Sequence, residues 1–376
     1  MKRRAFIGAL TATTAGVVMP RTGFACGSGF SALEEEFIDL TDSSGKRKLL
    51  ASHAVDASQL PASSERMAVS HDGKLLAYAH LKDRTLRLRD AAGNVSAYPA
   101  PEGATPVFNP TNSNTLVIST RLIGRRQLRI VNTATRKSQI WDEFLHVRSV
   151  TFTPVGIVVA HDRPNQGGGA ISWIKEPGHS EELLRLNGVH TLTQSRGSNL
   201  GYFAGAEAFA MDLDGMKSKS LGTVPYELEG AAWLGEGLLG TTEEGAYWMR
   251  NGHEYVRRIN DRKLHTVFNH GTYTVAASPS AMYVLHQDGT MPWVHRNPSG
   301  RLVDVHAADH NHVVFSAGNE VYLADIAKRT TRRVGEGRAG LTLRGARVFG
   351  GGVVTWSTRR WEKTEDGRCV LEQNPK

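Results

Sequence analysis

The sequence predicts an all-β fold built from a repeated unit of four strands, and three observations carry that expectation. First, residues 69–90, VSHDGKLLAYAHLKDRTLRLRD, hold a turn at His71-Asp72-Gly73, an apolar run of strand length from Leu75 to Ala79 and a second turn at Lys82-Asp83-Arg84. After that turn Thr85, Arg87 and Arg89 alternate with Leu86 and Leu88, the period of a strand with one wet and one dry face. Second, the same order recurs along the chain. Third, no amphipathic helical window of useful length interrupts it, and many of the 39 glycines fall between apolar runs, where turns need them.

The second copy is PVFNPTNSNTLVISTRLIGRRQLRIVNTATRKSQIW, residues 106–141. Weaker copies follow at VRSVTFTPVGIVVAHDRPNQGGGAISWIKEPGHSEELLRL, TLTQSRGSNLGYFAGAEAFAMDLDGMKSKSLG, GAAWLGEGLLGTTEEGAYWMRNGHEYVRRI, YTVAASPSAMYVLHQDGTMPWVHRNPSG and LVDVHAADHNHVVFSAGNEVYLADIAKRTTRRVG. The spacing is roughly forty residues, that of four-stranded propeller blades. A β-propeller must close its ring or expose sheet edges, and strands from both termini commonly do so together. Residues 35–52 contain two strands around Ser43-Ser44-Gly45, and residues 341–372 also fall short of a full set, so the two segments are expected to share one blade. Seven blades are expected, because the sixth copy lacks a clear fourth strand and merges with the seventh; eight is the alternative from a literal count.

VSHDGKLLAYAHLKDRTLRLRDAAGNVSAYP resembles a blade of the WD-repeat and TolB-like propellers: a small residue, His-Asp-Gly, an apolar strand, a Lys-Asp-x turn and an alternating strand ending in Asp. The resemblance spans residues 67–335, is strongest in the first two copies and lacks the Trp-Asp dipeptide. It implies architecture only and brings no catalytic residue.

The N-terminus predicts where the protein works. Lys2, Arg3 and Arg4 precede an apolar stretch rich in Ala, Gly and Thr, and Gly23-Phe24-Ala25 offers small residues for cleavage, so residues 1–25 are expected to be an export signal peptide. KRRAFIG resembles the twin-arginine motif, with Lys in place of the usual Ser or Thr. Residues 26–34 are then a short tether and 35–376 a single propeller domain, periplasmic or elsewhere in a bacterial cell envelope. Without Lys2, Arg3, Arg4 and Arg21 the formal charge falls from +8 to +4, with 41 basic against 37 acidic residues. Nucleic acid is not an expected partner, and clusters such as Arg125-Arg126 and Arg332-Arg333 are expected to be solvated strand edges. Cys26 has two candidate fates: lipidation, which would anchor a lipoprotein to a membrane, or a disulfide with Cys369 brought near by ring closure.

The remaining chemistry lies in histidine, of which the chain has 15. Aligned by copy, His80, His161 and His286 each end what reads as the second strand, followed by Asp83, Asp162 and Asp288, so six polar groups are expected to ring one mouth of the channel. HAADHNH places His306, Asp309, His310 and His312 in one short turn, a set suited to a transition metal. Against both stands the plain role of His and Asp in bonding their own turns. The chain has no G-x-S-x-G elbow, no H-E-x-x-H and no phosphate-binding glycine loop before a helix. Two functions stay open. One is a monomeric binding or scaffold protein for an envelope protein or glycan, without cofactor. The other is an extracytoplasmic enzyme, a metal-assisted hydrolase, lyase or oxidase working at the channel mouth. The absent motifs favour binding.

Overall fold

The computed structural model describes residues 32–40, 47–56, 67–80, 83–100, 104–122, 125–154, 156–163, 168–186, 191–250, 252, 254–296, 302–309, 311–337, 343–363 and 369–371. The expected export signal of residues 1–25, Cys26 and His310 lie outside them. Every regular element among the described residues is a β-strand. Consecutive strands form seven four-stranded antiparallel sheets, blades 1 to 7, over residues 67–99, 104–144, 147–186, 191–223, 230–259, 266–296 and 302–336. An eighth sheet is assembled from both ends of the chain. Its inner strands are Leu343–Phe349 and Gly352–Lys363, its outer ones Ala32–Leu40 and Arg47–Asp56, and Cys369–Leu371 adds a short fifth strand beside Gly352–Lys363.

Closure by both termini therefore holds: consecutive strands form seven blades, and the closing sheet shared by the two termini is the eighth sheet of the literal count. The sixth copy is complete: Trp293–Arg296 is its fourth strand, paired with Ala281–His286. Its first strand, Thr266–His270, turns tightly through Gly271 at φ +57° and lies before the stretch that reads as the copy. The first closing strand begins at Ala32, inside the segment assigned to the tether.

Side-chain alternation explains the ring. In the strand Leu75–His80, Leu76 and Tyr78 pack with Phe349 and Val354 of the closing sheet, whereas Ala77 packs with Phe108, Leu116 and Ile118 of blade 2. In Gly156–Asp162, Ile157 and Val159 join blade 2 while Val158 and Ala160 join blade 4. Each inner strand is thus buried on both faces by its two neighbours, so it reads as a continuous apolar run. Each outer strand is not: Lys217–Thr223 exposes its first three residues. Eight apolar clusters fill the eight junctions, the last joining Val314 and Val321 of blade 7 to Leu343, Ala346 and Val353. Gly73 sits at φ +70° in the predicted turn, and its carbonyl accepts the Gly350 N–H at 2.9 Å, joining blade 1 to the closing sheet.

First strands of successive blades contact one another around the axis. Two faces follow from the antiparallel order. The crossover face carries the links between blades and the turns after second strands; the hairpin face carries the turns after first and third strands. Ala32 pairs with Trp361, and Trp361 with Leu371, so the chain enters and leaves on the crossover face.

Candidate functional site

The strand order divides the expected histidine ring between the two faces. His80 and His161 end second strands and lie at the crossover face. His286 ends Ala281–His286, which is a third strand, and pairs with Tyr273 at the hairpin face. The single mouth with three histidines is therefore corrected to two separated sets. The missed first strand of the sixth copy shifted its alignment by one strand, and in an antiparallel sheet that shift exchanges faces.

Each histidine is engaged close to its own turn. His80 is 6% exposed, and its Nδ1 lies 3.3 Å from the Asp83 N–H and 3.2 Å from Asp83 Oδ2. One ring nitrogen accepts from the first or donates to the second, and either contact ties the turn; the Asp83 carboxylate also takes Arg87. His161 has its Nδ1 3.1 Å from the Asp162 carbonyl and its Nε2 2.8 Å from Ser172 Oγ. A carbonyl only accepts, so Nδ1 carries the proton and Nε2 accepts from the serine hydroxyl. Burial against Phe144, with ring centroids 4.4 Å apart, holds the His161 pKa below the usual histidine value and keeps the ring neutral. Asp162 is occupied by Arg148, which donates twice at 2.8 Å. His286 lies 3.6 Å from Asp288, and Asp288 accepts the Thr290 N–H and hydroxyl at 2.8 and 2.6 Å.

The HAADHNH segment forms the turn between the first two strands of blade 7, at the hairpin face. Asp309 Oδ1 accepts the N–H groups of Asn311 and His312, and His312 Nδ1 donates to the same carboxylate at 2.8 Å. Burial raises the Asp309 pKa, but these bonds outweigh it and hold the group below the usual range. His312 Nε2 faces Asp325 at 3.7 Å, and Asp325 pairs with Lys328. His306 turns elsewhere. Its Nε2 is sealed from solvent without a hydrogen-bond partner. Burial, and then the nearby charges of Arg347 and His265, keep it neutral well below its usual pKa. Among the described residues no three His, Cys, Asp or Glu side chains gather to hold a metal ion.

A concave site does occur where the sequence reading placed none. At the hairpin face, the ends of the first strands of blades 2, 3 and 4 enclose an open cleft of about 320 Å³. Phe108 and Phe152 are its large apolar walls, and Thr151, Thr193 and Gln194 supply polar groups. Bonds between blades hold the walls: Ser195 Oγ donates to the Phe152 carbonyl at 2.6 Å, the Leu192 N–H to Ser149 Oγ at 2.8 Å, and Trp233 Nε1 to the Gln194 carbonyl at 2.8 Å. PVF, VTF and TLTQ occupy equivalent places in three successive copies, but nothing in them marks a cleft until the blades are stacked.

No family model matches the chain, and no curated protein matches it in sequence. Solved structures share its architecture. Apo AztD from Citrobacter koseri is 9% identical with a TM-score of 0.51, covering 82% of this chain and 96% of that one. Saccharomyces cerevisiae Sqt1 is 9% identical at 0.52, covering 79% and 97%, and the Dos1 propeller is 9% identical at 0.52, covering 79% and 93%. The chain has a β-propeller architecture of the WD-repeat and TolB-like kind. At such identities the likeness concerns the fold alone.

Proposed function

We propose that this chain is a binding platform of the bacterial cell envelope, exported by its N-terminal segment, that receives a protein or glycan partner in the cleft of blades 2 to 4. The observation carrying this reading is the cleft itself: an open concavity with aromatic walls and a few polar groups, the usual make-up of a recognition site. The topology supports it. Both ends of the described chain lie on the crossover face, so an anchor at Cys26 directs the cleft away from the membrane. The enzyme reading draws less support, since the groups it relied on are divided between two faces and occupied by local bonds.

Photo-crosslinking tests the proposal. A benzophenone amino acid at Gln194, exposed at the cleft, is expected to yield one adduct of defined mass in cells that make the protein. The same group at Glu243, exposed on the crossover face, is expected to yield none. No adduct at Gln194, or equal adducts at both positions, removes the cleft as the site. Stoichiometric transition metal in protein purified from the exported fraction would instead favour the enzyme.

A further inference from the structure

The size and lining of the cleft of blades 2 to 4 restrict what it can receive. Six of the nine described residues that line it are apolar, and none of the nine is charged. Phe108 and Phe152 come from the first strands of blades 2 and 3, and Leu192 from that of blade 4. Pro110 stands exposed in the first turn of blade 2. That turn is fixed: Asn109 Oδ1 accepts the Thr111 N–H at 3.0 Å and the Thr111 hydroxyl at 2.9 Å, and the Asn109 N–H donates to the Thr115 carbonyl at 3.0 Å.

The polar groups open to a ligand are fewer than the residue types suggest. Thr151 is 8% exposed and Thr193 4%. Thr193 Oγ1 donates to the Gln194 carbonyl at 3.1 Å, and that carbonyl also accepts Trp233 Nε1 at 2.8 Å. Among the described polar residues of the lining, Gln194 is the exposed one. A sugar ring held here would strand several hydroxyls, and a buried hydroxyl without a partner is unfavourable. A charged group would lose its water and meet no counter-charge among the described lining residues. At about 320 Å³ the cleft is at the small end of ligand sites, which run from about 300 to 1,000 Å³, so it has room for a side chain rather than an oligosaccharide. An apolar side chain gains by leaving water for such a lining. At the rim, a carboxamide both donates and accepts, as a peptide group does.

We propose that the occupant of the cleft is a polypeptide, which inserts one apolar side chain between Phe108 and Phe152 and pairs a peptide group with the Gln194 carboxamide. Such a partner presupposes that the cleft is the recognition site, and it is protein rather than glycan.

The indole N–H of Trp233, bonded to the Gln194 carbonyl, gives a nuclear magnetic resonance signal that reports on the cleft. The full chain is titrated separately with N-acetylphenylalaninamide, N-acetylleucinamide, N-acetylglycinamide and maltotriose. The signal is expected to move saturably with at least one of the two apolar amides and with neither of the other probes. Pro110→Asp, which brings a charge to the exposed rim, is expected to weaken that binding about tenfold or more. Gln194→Ala is expected to weaken it about threefold or more, with the other indole signals unmoved in both variants. Movement by no probe, by maltotriose, or by N-acetylglycinamide as strongly as by the apolar amides overturns the proposal. So does binding that either variant leaves unchanged. The crosslink at Gln194 separates this failure from that of the site: an adduct with a glycan keeps the cleft and removes the polypeptide, whereas no adduct removes the cleft itself.

Discussion

Blade 3 holds Arg148, on its first strand, by a carboxylate, whereas blade 5 holds Arg250 and Arg258, on its third and fourth strands, against an indole ring. In blade 3, Arg148 donates twice to Asp162, whose carbonyl in turn holds His161, and His161 accepts from Ser172. In blade 5, Arg250 and Arg258 lie against Trp248. The first network is complete within its blade. The second rests on stacking against the indole and leaves the buried Arg258 Nε without a hydrogen-bond partner. Polar residues that look functional by type are therefore engaged in local bonds in blade 3, whereas the arginines of blade 5 are placed by an aromatic ring.

The largest test of this contrast is Trp248→Ala. Removing the buried indole takes away the floor under both arginines and leaves a cavity at the junction of blades 5 and 6, so a loss of about 3–5 kcal/mol in urea unfolding is expected. A loss under about 1 kcal/mol would mean that the junction is loosely packed and the arginines are not held in place.

Acid sensitivity comes next. His161, His295 and His306 all have folded-state pKa values below 6.5, with burial the first cause in each. Above pH 6.5 both folded and unfolded chains hold these rings neutral, so they add no pH dependence. Below it the unfolded chain binds protons that the fold excludes, and stability falls as the pH falls. For His306, whose Nε2 is cut off from solvent, the slope approaches at most about 1.4 kcal/mol per pH unit. Wild type is expected to unfold at lower urea concentration at pH 5.5 than at pH 7.5, and His306→Asn to show a smaller difference. An equal difference in the variant would show that His306 is not the sensitive ring.

Asp162→Asn tests the closed network directly. Arg148 is partly solvated, so the expected loss is no more than about 1 kcal/mol. A larger loss, read in the same urea titration, would mean that the pair orders the His161 turn as well. The smallest effect is expected from His286→Ala, an exposed group at the hairpin face, within about 0.5 kcal/mol of wild type. A shift beyond that in calorimetric melting would place His286 in a structural role that its surface contacts with Asp288 and the Tyr273 ring do not suggest.

The sequence by itself determined the strands and their grouping. Alternation as in Thr85 to Asp90, and turn chemistry as at His71-Asp72-Gly73, depend on residues within a few positions of one another, so they are legible without the fold. The incomplete ends likewise announced a shared closing sheet. Which face a residue occupies was decided only by the tertiary structure. Face assignment depends on counting every strand, and the short strand Thr266–His270, missed before its tight turn, sent His286 to the wrong side. The cleft was also beyond reach. Phe108 and Phe152 line one cleft, and Trp248 meets Gly289, only when separate blades stack at fixed height and rotation, and no local period encodes that alignment.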